Sequence, residues 1–127
     1  MSLKIIESPK APAAIGPYAQ AIKAGNFLYT SGQLPIDMAT GDLVVDNIGL
    51  ATRVCITNIE SILKEAGYGL EDVVKTLIFI RDMEDFSLVN EEYEACFAGH
   101  KPARSCVEVS ELPKDADLEI EVVAYKE

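Results

Sequence analysis

The 127-residue sequence predicts an α+β domain with two amphipathic helices on one face of a mixed sheet. Three observations predict it. Two stretches carry apolar residues at three- and four-residue steps, the helical period. Several other runs are short and rich in β-branched and aromatic residues. Their order, β-β-α-β-α-β-β, interleaves the two kinds, as helices packed on a sheet require. The length suits one domain over residues 1–127, because two would each sit near the lower limit of a self-sufficient core.

Leu3 to Ile6 is a candidate short first strand. Ser8 to Pro17 holds Pro9, Pro12, Gly16 and Pro17 and reads as an ordered loop or a flexible arm. Phe27-Leu28-Tyr29-Thr30-Ser31 is a strand. Tyr18 to Lys23 pairs with it as a hairpin across the Gly25-Asn26 turn. Asn47 to Ala66 is a helix with Ile48, Ala51, Cys55, Ile59, Ile62 and Ala66 along one stripe. Asp46 is placed to cap its start and Gly67 its end. Val73 to Ile80 is a strand. Asp85 opens a second helix, with Phe86, Val89, Tyr93, Cys96 and Phe97 on one face. Ala103 to Val109 and Leu118 to Tyr125 are the last strands, separated by Leu112-Pro113-Lys114-Asp115.

Val73 to Ile80 is apolar at both odd and even positions, as a strand covered on both faces is. Two helices cover only one face of such a sheet. A second copy of the chain is the simplest cover for the other, so a homo-oligomer is expected.

Composition removes several classes. Apolar residues make up 49 % of the chain, enough to build a core. The net charge is −10 and the eleven basic residues are scattered, which disfavours a broad nucleic-acid groove. No apolar run reaches the roughly 20 residues of a membrane span. Met1 to Lys10 lacks the apolar core of a signal peptide. Three cysteines, none two residues apart, suggest neither a disulfide framework nor a zinc knuckle. No glycine-rich phosphate loop is present. With one His, a catalytic metal would need a mostly carboxylate site, and a reduced cytoplasmic compartment is expected.

Few residues stand out as candidates for chemistry. Arg104 lies in a small, apolar run and is costly to bury unpaired. It can grip a ligand carboxylate by two parallel hydrogen bonds, or pair with Glu119 or Glu121. If the last two strands are near neighbours, Arg104 and a glutamate line one cleft. Glu119 and Glu121 read as a general base and a solvated charge, or as two exposed carboxylates. Cys106 has no His or Asn partner nearby in the sequence and reads as pocket lining. His100, in a Gly-His-Lys loop, reads as solvated. Tyr18 and Tyr93 have hydroxyls for a pocket or serve packing. Ser31-Gly32 can bring backbone close to a ligand or simply turn the chain. Asn90 carries little signal alone.

Ala13 to Tyr18, Ser31 to Pro35, Asn58-Ile59, Val74-Lys75-Thr76, Val89 to Tyr93, Pro102 to Val109, Leu112 to Asp115 and Glu119-Ile120-Glu121 form a set of segments spanning almost the whole chain. In these segments the sequence resembles the Rid family of reactive-intermediate deaminases, also called the YjgF or perchloric-acid-soluble protein family. The resemblance implies a chorismate-mutase-like fold and a homotrimer whose sheets form an inner barrel, with clefts between subunits. It implies hydrolysis of 2-imino acids, formed from 2-aminoacrylate or 2-aminocrotonate, to 2-keto acids and ammonia, without metal or organic cofactor. By the same resemblance Arg104 grips the substrate carboxylate and Glu119 activates water. Backbone at Ser31, Gly32 and Cys106 orients the imine, Tyr18 of a neighbouring subunit closes the pocket, and Asn90 and Tyr93 line it. The chain departs from the family in Lys101, where an aromatic residue often precedes the Pro-Ala-Arg run. Rival readings are a non-catalytic small-carboxylate-binding or regulatory protein, an endoribonuclease or translation inhibitor, and a chaperone-like holder of unfolded proteins.

Overall fold

A computed structural model describes residues 3–127. Eight regular elements follow one another: β1 (Leu3–Ile6), β2 (Ala21–Ala24), β3 (Phe27–Thr30), α1 (Ile48–Glu65), β4 (Val73–Ile80), α2 (Phe86–Phe97), β5 (Ala103–Glu108) and β6 (Leu118–Tyr125). The strands form one mixed sheet in the order β1-β2-β3-β6-β4-β5. Only β4 and β5 run parallel; they are the pair joined through α2, a connection long enough to carry the chain back. β4 and β6, the two longest strands, lie side by side within the sheet. The expected α+β class with two helices on the sheet is therefore the observed one, and the short first strand is present.

Period two explains the burial. Leu118, Ile120, Val122 and Ala124 of β6 alternate with half-exposed residues, and Thr76, Ile78 and Ile80 of β4 share their face. That face lies under α1, whose Ala51, Cys55, Ile59 and Ile62 are fully buried. The other face carries Ile5, Phe27, Tyr29, Phe79 and Val107, all half-exposed or exposed. Ile5 retains 63 % of its surface, far above an ordinary core residue. Among the described residues this apolar face has no covering layer, as the two-sided pattern of β4 predicted.

The caps differ from expectation in one place. Asn47, not Asp46, caps α1: its side chain accepts a hydrogen bond from the Leu50 N–H at 3.1 Å. Asp46 has φ +58, a left-handed backbone that turns it away from the cap position. At the other end Gly67 does close the helix. Its N–H donates to Lys64, and that of Tyr68 donates to Leu63, with Gly67 at φ +83.

Two buried amides fix the loops. Gln20 donates to the carbonyls of Pro12 (2.8 Å), Ser8 (3.2 Å) and Ala11 (3.4 Å), and its Oε1 accepts from Ser8 N at 2.6 Å. The Pro-rich loop is thus tied down, which resolves the loop-or-arm alternative. Asn58 of α1 donates to Ile36 O at 2.9 Å and Leu34 O at 3.4 Å, holding the segment after β3. No helix among the described residues is long and apolar enough to cross a membrane.

Candidate functional site

Tyr18 apart, the residues singled out by sequence fall into two groups on opposite faces of the sheet. Arg104 pairs in register with Thr76, and Thr76 with Val122; Thr76 and Val122 face the helices. Arg104 and Cys106 therefore lie on the helix side. Glu119 pairs with Phe79 and points to the uncovered side, together with Glu121. β4 stands between β5 and β6, so Arg104 and Glu119 are two strand spacings apart, roughly 10 Å across the sheet, and roughly 10 Å along it because their β4 partners Thr76 and Phe79 are three residues apart, before the opposite facing is added. The expectation that one chain brings Arg104 and Glu119 or Glu121 into one cleft is corrected here, as is their pairing. Period two sorts residues along one strand but leaves the phase between separated strands open.

The first group is built on α2. Phe86, Asn90 and Tyr93 follow at four- and three-residue steps and form one stripe facing β5. Arg104 lies across this stripe. Its Nη1 donates to Asn90 Oδ1 at 2.6 Å, and its Cζ is 5.2 Å from the Phe86 ring centre and 5.0 Å from that of Tyr93. Among the described residues Arg104 forms no ion pair. Tyr93 is held from below by Thr76, hydroxyl to hydroxyl at 2.8 Å. Burial pushes the Tyr93 phenol up, outweighing the Thr76 hydrogen bond and the Arg104 charge, so it stays protonated near neutrality.

These groups open into a cleft of about 660 Å³, lined by Asn90, Tyr93 and Arg104 with Glu94, His100 and Lys101. His100 is not simply solvated. It is half-buried, and its Nε2 donates to the Val73 carbonyl at 2.7 Å. Cys106 is half-buried beside Arg104; burial raises its thiol pKa more than Arg104 lowers it, so it is no thiolate nucleophile at neutral pH.

The second group lies on the other face. Gln33 pairs with Ile120 through both backbone hydrogen bonds, which brings Ser31-Gly32 alongside β6. Gly32 lies directly against the Glu119 side chain: a Cβ there would sit 2.6 Å from Cδ and 2.9 Å from Cγ of Glu119. Gly32 is needed for this close approach. The Gly32→Ala variant is expected to fold but to turn the Glu119 carboxylate aside, and a crystal structure of the variant checks it. Ser31 is committed to the scaffold, its hydroxyl donating to Ala19 O at 2.6 Å. Glu119 is half-buried, and burial, with the Glu121 charge second, raises its pKa above the ordinary 4.5. Tyr18 stands on the Pro-rich loop, 54 % exposed and in neither group. Sequence reasoning read Phe86 as core and passed over Thr76. The signal for Phe86 was its phase with Asn90 and Tyr93 on the helix.

Fold and cleft together define an α+β domain that presents a guanidinium, oriented but not neutralised, in an open cavity. Residues 8–126 match the family described as Endoribonuclease L-PSP. A RutC family protein of Pyrococcus horikoshii is 52 % identical over 124 residues, covering 98 % of each chain. The 2-iminobutanoate/2-iminopropanoate deaminase of Escherichia coli is 45 % identical over 126 residues, covering 97 % of this chain and 98 % of its own. The solved structure of YyfA from Yersinia pestis, described as a member of the conserved Rid protein family, superposes with a TM-score of 0.95 at 48 % identity, over 98 % of this chain and all of that one. The chain belongs to the Rid family, also known as YjgF or L-PSP, and has its fold.

Proposed function

We propose that the protein is a 2-iminobutanoate/2-iminopropanoate deaminase, hydrolysing 2-imino acids to 2-keto acids and ammonia. The observation that carries this reading is Arg104, held by Asn90 and two aromatic rings and in no ion pair among the described residues. A guanidinium so placed is ready for the one charge every such substrate has, its 2-carboxylate. The 45 % identity with the deaminase of Escherichia coli supports the reaction.

Glu119 supplies the second requirement. Water adds to the electrophilic iminium carbon, and its proton passes to the Glu119 carboxylate. The proton then moves to nitrogen; as the C–N bond breaks the hydroxyl gives its proton to the Glu119 carboxylate and becomes the carbonyl, and the departing ammonia takes that proton up as ammonium. A carboxylate whose pKa is raised toward neutrality is a better base for this step than a fully solvated one. Arg104 and Glu119 lie on opposite faces, so the complete site needs two copies of the chain. The uncovered apolar face of the sheet supports such an assembly, a homotrimer with intersubunit clefts that Tyr18 of the neighbouring copy closes. The cleft backbone at Ser31, Gly32 and Cys106 orients the imine.

The test is keto-acid release from 2-aminoacrylate generated in situ by a serine dehydratase. Acceleration by the wild type, with a solution mass near three times the chain's 13.8 kDa, is the expected result. A folded oligomer that gives no acceleration overturns the enzyme reading and leaves carboxylate binding. Ribonuclease activity, named in the family description, is disfavoured by the net charge of −10.

A further inference from the structure

We infer that Phe86 is a positioning residue for Arg104, and that its ring face sets how tightly the protein holds a substrate carboxylate. The inference rests on the proposed role of Arg104. Phe86 is half-buried at the first turn of α2, seven residues before Tyr93, so the two rings stand two turns apart on the same face. The guanidinium carbon lies within reach of both ring faces, at 5.2 and 5.0 Å. Asn90, between them on the helix, takes one N–H.

This combination differs from the usual way of holding an arginine. A carboxylate partner would orient the side chain but neutralise it. The negative face of an aromatic ring attracts the cation without cancelling its charge or using its in-plane donors. A neutral amide engages one donor of five. The remaining N–H groups stay available in the plane where a carboxylate docks by two parallel bonds. Tyr93 is fixed by its hydrogen bond to Thr76. Phe86 has no polar tether, so its share in the clamp is ring contact alone, and it can be removed without orphaning a hydrogen-bonding group.

The experiment compares Phe86→Leu and Phe86→Met, which keep an apolar side chain without a π face, with Phe86→Tyr, which keeps the face. Binding of 2-oxobutanoate is measured by calorimetry, and imine hydrolysis by keto-acid release. Loss of the face is expected to raise the 2-oxobutanoate Kd and the imine KM about fivefold, with kcat changed by less than about twofold. Phe86→Tyr is expected to restore both. A merely structural role would instead lower the melting temperature and kcat without moving Kd. The inference is overturned if Leu and Met leave Kd unchanged, or if Tyr weakens binding as much as they do. If the wild type hydrolyses no imine while Kd still rises in Leu and Met, the deaminase reading falls and the clamp stands.

Discussion

Replacing Arg104 by lysine is expected to lower kcat/KM for imine hydrolysis by about 100-fold, and replacing it by alanine by about 1,000-fold. A hydrogen bond to a charged group contributes roughly 1.5–3 kcal/mol, and each 1.4 kcal/mol is tenfold. Alanine removes two such bonds. Lysine keeps the charge but loses the fork, and a compact ammonium has no planar surface to lie between the Phe86 and Tyr93 rings. Asn90 Oδ1 is left in an open cleft where water can replace the lost donor, so neither variant should unfold the protein. Steady-state kinetics beside thermal unfolding checks both statements. Equal activity in wild type and Arg104→Lys would mean that a point charge suffices, and the aromatic clamp would have no function in binding.

The loss at Arg104 is also where sequence and structure meet most informatively. The helical stripe of α1 was legible because burial follows a local period, and Ile59 and Ile62 fall inside as that period requires. The cap was less so: Asp46 and Asn47 are both good capping residues, and a left-handed backbone at Asp46 decides between them. Strand order left no local trace. β6 inserts between β3 and β4 through pairings made far along the chain. The register of those pairings, with Glu119 opposite Phe79 and Arg104 opposite Thr76, sets the two on opposite faces. The two-faced strand β4 announced an uncovered sheet face, but nothing in its periodicity says what covers it. The chemistry itself was not legible from pattern. Arg104 and Glu119 each had an ordinary structural explanation, and only the resemblance gave them roles.

Replacing Glu119 by glutamine is expected to lower kcat by about 100- to 10,000-fold, the range for loss of a general base, while 2-oxobutanoate still binds through Arg104. The pH profile provides the sharper test. In the proposed mechanism hydrolysis needs the ionised carboxylate, so the wild-type rate should rise with pH along a limb lying above 4.5, because burial and Glu121 raise the Glu119 pKa. Glu121→Gln should move that limb downward, but only in part, since burial is the larger cause. Stability should respond in the opposite sense. A raised folded-state pKa means that the folded protein binds this proton more tightly than the unfolded chain does. The resulting stabilisation is complete below the unfolded value near 4.5 and is lost as pH rises through the higher folded value. Above that folded-state value the wild type carries an ionised, half-buried carboxylate against Gly32, and there Glu119→Gln should melt at a higher temperature than the wild type. Near pH 4 the two should melt together. A variant that loses activity without gaining stability in that range would mean that other groups already compensate the Glu119 charge, and in the proposed oligomer the neighbouring copy is their source. The base would then be tuned by the neighbouring copy rather than by its own strand.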